Sequence, residues 1–149
     1  MLNFTRPTST ASATDLVWPF QGCHSVSELI GPPGAPIPLG ELMSDFPTVT
    51  DITPVGFLND KPVFACAVET ANMDVMKYTS GSLFALIGRI AGEQFDVIGR
   101  AYQLLCWERD HRHCGRCGRE TSLADKGQSR ACEPCGLSVY PRLSPCVIV

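Results

Sequence analysis

The sequence predicts an α+β fold in which an N-terminal mixed sheet with two helices is followed by a small cysteine-rich ribbon. Three observations carry that expectation. Apolar residues alternate on either side of a turn-prone Asn59-Asp60 pair, they change to a helical period beyond Thr70, and two Cys-x-x-Cys pairs follow at Cys114/Cys117 and Cys132/Cys135. With 149 residues, 44% of them hydrophobic, the chain has enough apolar material for one ordinary domain or two small ones. That composition excludes disorder and collagen-like structure.

Residues 1–48 hold 7 of the 12 prolines, clustered at Pro32, Pro33, Pro36 and Pro38. An irregular segment is therefore expected over 31–38, since proline excludes a long helix or a central strand there. Short apolar pieces at Leu16-Val17-Trp18 and Val26 to Ile30 read as strands at the edge of the sheet. Val49 to Phe57 and Pro62 to Val68, rich in β-branched and aromatic residues, read as a hairpin turning at Asn59-Asp60. Pro62 must then open its strand or lie on an edge. Leu83, Leu86, Ile87 and Ile90 follow the spacing of one helix face, behind the hydroxyl residues Thr79, Ser80 and Ser82 that can cap a helix. A second helix is expected from about Glu93 to Asp110, with Phe95, Ile98, Tyr102, Leu105 and Arg109 on one stripe. Gly99 inside it marks either a close backbone approach or a tolerated helix glycine. The change to Cys- and Gly-rich sequence near residue 111 sets a domain boundary, giving units at 1–110 and 111–141.

Eight cysteines raise the question of a secreted disulfide scaffold. The N-terminus turns polar at once and the most apolar internal run, Leu83 to Ile90, is broken by Arg89, so a cytoplasmic chain with no membrane span and reduced thiols is expected. The two Cys-x-x-Cys pairs are separated by 14 residues, room for a short hairpin. Each pair can aim two thiolates at one point, and two pairs complete a tetrahedron around Zn²⁺. Gly118 and Gly136 follow the pairs where the backbone must turn tightly. Cys114, Cys117, Cys132 and Cys135 are thus the expected ligands of a zinc ribbon, and with four thiolates and no open position the Zn²⁺ is structural. His111 and His113 read as polar residues at the helix exit rather than ligands, and Cys23, Cys66, Cys106 and Cys146 as small buried hydrophobes. No phosphate-binding glycine loop, H-E-x-x-H, G-x-S-x-G or carboxylate cluster is present.

Residues 1–70 carry 2 basic and 7 acidic groups, residues 71–110 carry 4 and 5, and residues 111–149 carry 6 and 3. The positive C-terminal segment hints at a polyanionic partner. The hint weakens once four thiolates and one Zn²⁺ add a net −2.

The run from Gly99 to Gly118, the second cysteine pair, and Tyr140-Pro-Arg-Leu-Ser-Pro-Cys-Val-Ile148 together resemble the NADH pyrophosphatase family of Nudix hydrolases. The resemblance implies an N-terminal α+β domain, a connecting helix, a zinc ribbon held by Cys114, Cys117, Cys132 and Cys135, and then a catalytic Nudix domain. That domain cleaves the pyrophosphate of NADH or NAD⁺ into the nicotinamide mononucleotide and AMP with Mg²⁺ or Mn²⁺, and in some members removes NAD caps from RNA. It further implies Tyr140 as a substrate-binding residue and a homodimer. Residues 142–149 then match the start of a truncated Nudix domain, with Pro145 to Val149 as its first strand. The Nudix signature itself is absent, the Arg119-Glu120 step lacking a following Glu-Glu pair, so no catalytic residue is assigned and these residues are expected to be inactive alone. The competing expectation is a ribbon that binds RNA or protein without catalysis through Arg112, Arg116, Arg119, Lys126, Arg130 and Arg142.

Overall fold

A computed structural model describes residues 2–3, 6–7, 9–21, 28–31, 35–70 and 73–142. Its organising element is the hairpin of β5 (Val49–Leu58) and β6 (Lys61–Val68), closed as expected at Asn59 and Asp60, whose φ angles of 50° and 62° are both left-handed. Around it lie β1 (Leu2–Asn3), β2 (Leu16–Phe20), β3 (Glu28–Ile30), β4 (Ile37–Pro38) and β7 (Ser80–Ser82). The strand order is β1-β5-β6-β2-β3-β7, with β4 also paired to β2. The sheet is mixed, because β2 runs parallel to β6 while the other pairs are antiparallel. Pro62 is the second residue of β6, after Lys61, and lies one residue ahead of the first pair with β2, Leu16↔Val63.

Three expectations are corrected. Neither short apolar piece lies at an edge: β3 is paired with β2 on one side and β7 on the other, and the piece at Leu16 is internal because Val17, Trp18 and Phe20 are buried and β6 covers one side of it. On its other side β4 pairs at Leu16 and Val17 and β3 at Phe20, so Pro19 falls in the gap between them, where a missing amide N–H breaks no ladder. The expected helix over 83–90 is a single 3-10 turn, Leu83–Leu86, which buries Leu83 and Leu86 and leaves Phe84 and Ile87 exposed. Gly88, at φ 74°, turns the chain before a second helical turn can form. A short helix absent from the sequence reading, α1 (Leu39–Asp45), follows Pro38 and buries Leu39 and Leu42. The expected strands at 26–27 and 145–149 lie outside the described residues.

Alternation along the strands builds two apolar layers. Trp18, Phe20, Val63 and Ala65 face α2 (Gly92–Asp110), which contributes Val97, Ile98, Ala101, Leu104 and Leu105. Val17, Phe64, Cys66 and Val68 face the opposite side, where α1, Phe46 and Tyr78 close the second layer. Gly99 meets nothing: a Cβ added there has no heavy atom within 4 Å, so no partner approaches it closely.

The ribbon follows α2: β8 (Ser122–Ala124), β9 (Ser129–Cys132) and β10 (Leu137–Val139) form an antiparallel sheet ordered β10-β9-β8. A carboxylate stands at its attachment. Glu108 continues the buried repeat of Val97, Ala101 and Leu104 on α2, and its two oxygens each accept from a guanidinium, Arg6 at 2.5 Å and Arg130 of β9 at 2.5 Å. Arg6 also donates to the carbonyls of Pro54 in β5 and Gly127 in the ribbon turn, and its guanidinium lies over the Trp107 ring. Arg130 completes its set on Thr121, at 2.8 Å to the hydroxyl and 2.8 Å to the carbonyl. A more exposed pair, Arg112 with Asp51, spans the same junction.

Three expectations on stability follow from this fold. Glu108→Gln removes the negative charge that faces the buried Arg6 and half-buried Arg130 guanidiniums and lowers the unfolding free energy by about 3–5 kcal/mol. Arg112→Ala, by contrast, costs less than about 1 kcal/mol, both read from urea titrations. Gly99→Ala, in open space on a helix, stabilises by about 1 kcal/mol in the same assay.

Candidate metal centre

The first cysteine pair sits in a tight turn just beyond α2. Cys114 N–H donates to the Arg119 carbonyl at 2.7 Å and Gly118 N–H to the Cys114 carbonyl at 2.8 Å, with Gly118 at φ 73°. The second pair ends β9 in a 3-10 turn, Glu133–Cys135, capped by Gly136 at φ 58°. A side chain at either glycine would be strained, which is why each pair is followed by one.

These turns bring the Sγ atoms of Cys114, Cys117, Cys132 and Cys135 within 4.8 Å of one another, with Cys117 and Cys132 at 3.6 Å. Zn–S bonds of about 2.3 Å place tetrahedral sulfurs about 3.8 Å apart, so the cluster fits a Zn²⁺ ion. Its thiols are prepared unequally. Backbone N–H groups of Arg116 and Cys117 directed at Cys114 Sγ pull that thiol down to about 6, whereas Cys135 is pushed up to about 12 by the neighbouring Cys117 and by burial. Four thiols so close cannot all ionise without a cation among them, and Zn²⁺ supplies that charge. Cys114 and Cys132 are buried, Cys135 is half-buried and Cys117 is exposed.

The remaining expected residues fall as follows. His111 Nδ1 lies 2.9 Å from the Trp107 carbonyl at the end of α2, and His113 bridges to Glu120, both away from the thiol cluster. Cys66 is fully buried, its thiol pushed up to about 12 by desolvation, and Cys106 is half-buried against the α2 core. Cys23 and Cys146 lie outside the described residues. Tyr140 stands just past β10 with its ring half exposed, and its hydroxyl donates to Asp125 at 3.3 Å. Of the six cations offered as a polyanion surface, Arg130 and Arg112 are turned to carboxylates and Arg116 reaches the Cys135 carbonyl. Arg6 and Glu108 escaped the sequence reading, although Glu108 falls on the buried helical repeat of its neighbours.

Removing the metal should open this unit selectively. A zinc chelator, or Cys132→Ser, is expected to abolish one-to-one zinc binding and collapse the amide NMR dispersion of β8 to β10 while the large sheet keeps its signals. Binding energies of such sites are on the order of 10 kcal/mol, so the effect is all-or-none, and acidification releases the metal because protons compete for the thiolates.

Residues 109–140 match the NADH pyrophosphatase zinc ribbon domain. The NAD-capped RNA hydrolase NudC of Pseudomonas entomophila (strain L48) is 33% identical over 96 residues, 64% of this chain and 34% of that protein. NudC of Pseudomonas putida (strain F1) is 34% identical over 95 residues, 64% of this chain and 34% of that protein. NudC of Deinococcus radiodurans is 35% identical over 95 residues, 64% of this chain and 33% of that protein. The matched stretch thus spans about a third of the length of these curated relatives. The chain is therefore homologous to the NudC proteins over 64% of its length and carries the zinc ribbon of the NADH pyrophosphatases.

Proposed function

We propose that these residues are the N-terminal and zinc-ribbon portion of an NAD(H) diphosphatase-like Nudix hydrolase. The units are 1–110, 111–141 and the start of a Nudix domain at 142–149. The observation that carries this reading is a four-thiol ribbon of the matched type, anchored to α2 by Glu108. Its substrates are NAD-capped RNA, for which its relatives are named, or NAD(H), which the NADH pyrophosphatase type of the ribbon supports. Catalysis, with Mg²⁺ or Mn²⁺, belongs to a Nudix domain whose signature these residues do not contain. Here the zinc does no chemistry: it fixes the hairpin so that Tyr140 leaves the ribbon at a defined place.

An exposed aromatic ring tethered by its hydroxyl to Asp125 suits stacking with a nicotinamide or adenine ring. The family resemblance further supports a homodimer and a cytoplasmic setting. No helix among the described residues is long and apolar enough to cross a membrane. Incubated with NADH and Mg²⁺, the 149 residues are expected to yield no AMP; turnover abolished by EDTA would contradict the reading. In a protein extended by a Nudix domain, Tyr140→Ala is expected to weaken substrate binding by about 1–3 kcal/mol, read from KM with zinc content unchanged.

A further inference from the structure

Zinc-bound thiolates remain nucleophiles, and their fate depends on which one solvent reaches. In this ribbon Cys114 and Cys132 are buried, 4% and 1% exposed, whereas Cys117 faces solvent. The Cys132 sulfur lies 3.6 Å from that of Cys117. The guanidinium of Arg116, next to Cys117 in the chain, reaches the Cys135 carbonyl at 3.4 Å and so sits between the two cysteine turns. An exposed cysteine, a second sulfur 3.6 Å from its own and a neighbouring arginine that reaches across to the second turn are the components of an oxidation-sensitive pair.

We propose that Cys117 is a site of oxidation by hydroperoxides, that Cys132 resolves it, and that the resulting disulfide expels the zinc. The Cys117 thiolate attacks one peroxide oxygen, the O–O bond breaks, and hydroxide leaves and takes a proton, so that sulfur is oxidised by two electrons to the sulfenic acid. Cys132 thiolate then attacks that sulfur, the S–O bond breaks, and a second hydroxide leaves and is protonated. In sum, two thiolates, one H₂O₂ and two protons give one disulfide and two waters. Only Cys114 and Cys135 would then remain to hold a Zn²⁺ ion, two thiolates short of a structural site. Arg130, two residues before Cys132 on β9, then loses the strand that presents it to Glu108. Oxidation at the metal is thereby felt at the junction with α2. This inference rests on the zinc reading of the cluster and not on hydrolase function.

The test uses the 149-residue chain, first shown by elemental analysis to hold one zinc, so that a metal-free preparation is not mistaken for inert thiols. Hydrogen peroxide is titrated in while a chromogenic chelator reports free zinc, and the first disulfide is mapped by peptide mass spectrometry. About one zinc is expected per peroxide consumed, with Cys117–Cys132 as the first bond and Cys66 unmodified, and with thiol reductant plus zinc restoring the starting state. Zinc retained under excess peroxide, or a first disulfide lacking either Cys117 or Cys132, overturns the proposal. Arg116→Ala, which leaves all four sulfurs in place, is expected to slow zinc release several-fold at unchanged zinc stoichiometry; an unchanged rate removes Arg116 from the pair.

Discussion

One buried carboxylate stands at the centre of the junction between the parts of this molecule. Glu108 faces Arg6 from the N-terminal segment and Arg130 from the ribbon, and each guanidinium spends its remaining donors on carbonyls or hydroxyls of the segment it must hold. Desolvating three charges is expensive, and a well-packed apolar contact would give as much stability. What the ionic arrangement adds is direction. Planar guanidinium groups accept few relative orientations, so the ribbon has one way to sit on α2 where a greasy contact would allow several.

The ribbon needs such a device because it has little else. Leu123 is exposed and Leu137 and Val139 are only half-buried, so it cannot hold itself or its neighbour by apolar contact. Zinc supplies the internal hold and Glu108 the external one. The two are linked through β9, which carries Arg130 to the carboxylate and Cys132 to the metal. At the same junction β5 is irregular: its ladder shifts between Thr50 and Thr53, Asp51 takes a φ of 57°, and its carboxylate meets Arg112. A bulge is the ordinary way to aim a side chain out of a strand.

What could be read in the sequence was what short stretches of chain decide alone. The hairpin at Asn59-Asp60 and the ribbon were legible because a turn pair and cysteine spacing are local signals. Strand β2 was misplaced because parallel pairing joins segments far apart, and five residues say nothing about their neighbours. Helix α1 is too short for its period to stand out, and the apparent period over 83–90 includes Ile87, which Gly88 turns to solvent. The anchoring triad was invisible for the same reason as β2: Arg6 and Glu108 lie 102 residues apart. A charged residue on an otherwise apolar helical stripe was the one trace it left.

For function, the arrangement separates a scaffold from a chemistry. Zinc with four thiolates has no position for a substrate, and the ribbon's cations near α2, Arg112 and Arg130, are paired with carboxylates, so the described residues read as a positioning unit whose value lies in its rigidity. That rigidity is directly measurable by backbone ¹⁵N relaxation on the zinc-loaded protein and on Glu108→Gln with zinc bound. The account predicts that β8 to β10 and the large sheet tumble with one correlation time in the parent protein and that the ribbon becomes faster and independent in the variant. A ribbon that already tumbles independently in the parent, or one whose motion Glu108→Gln leaves unchanged, would contradict it.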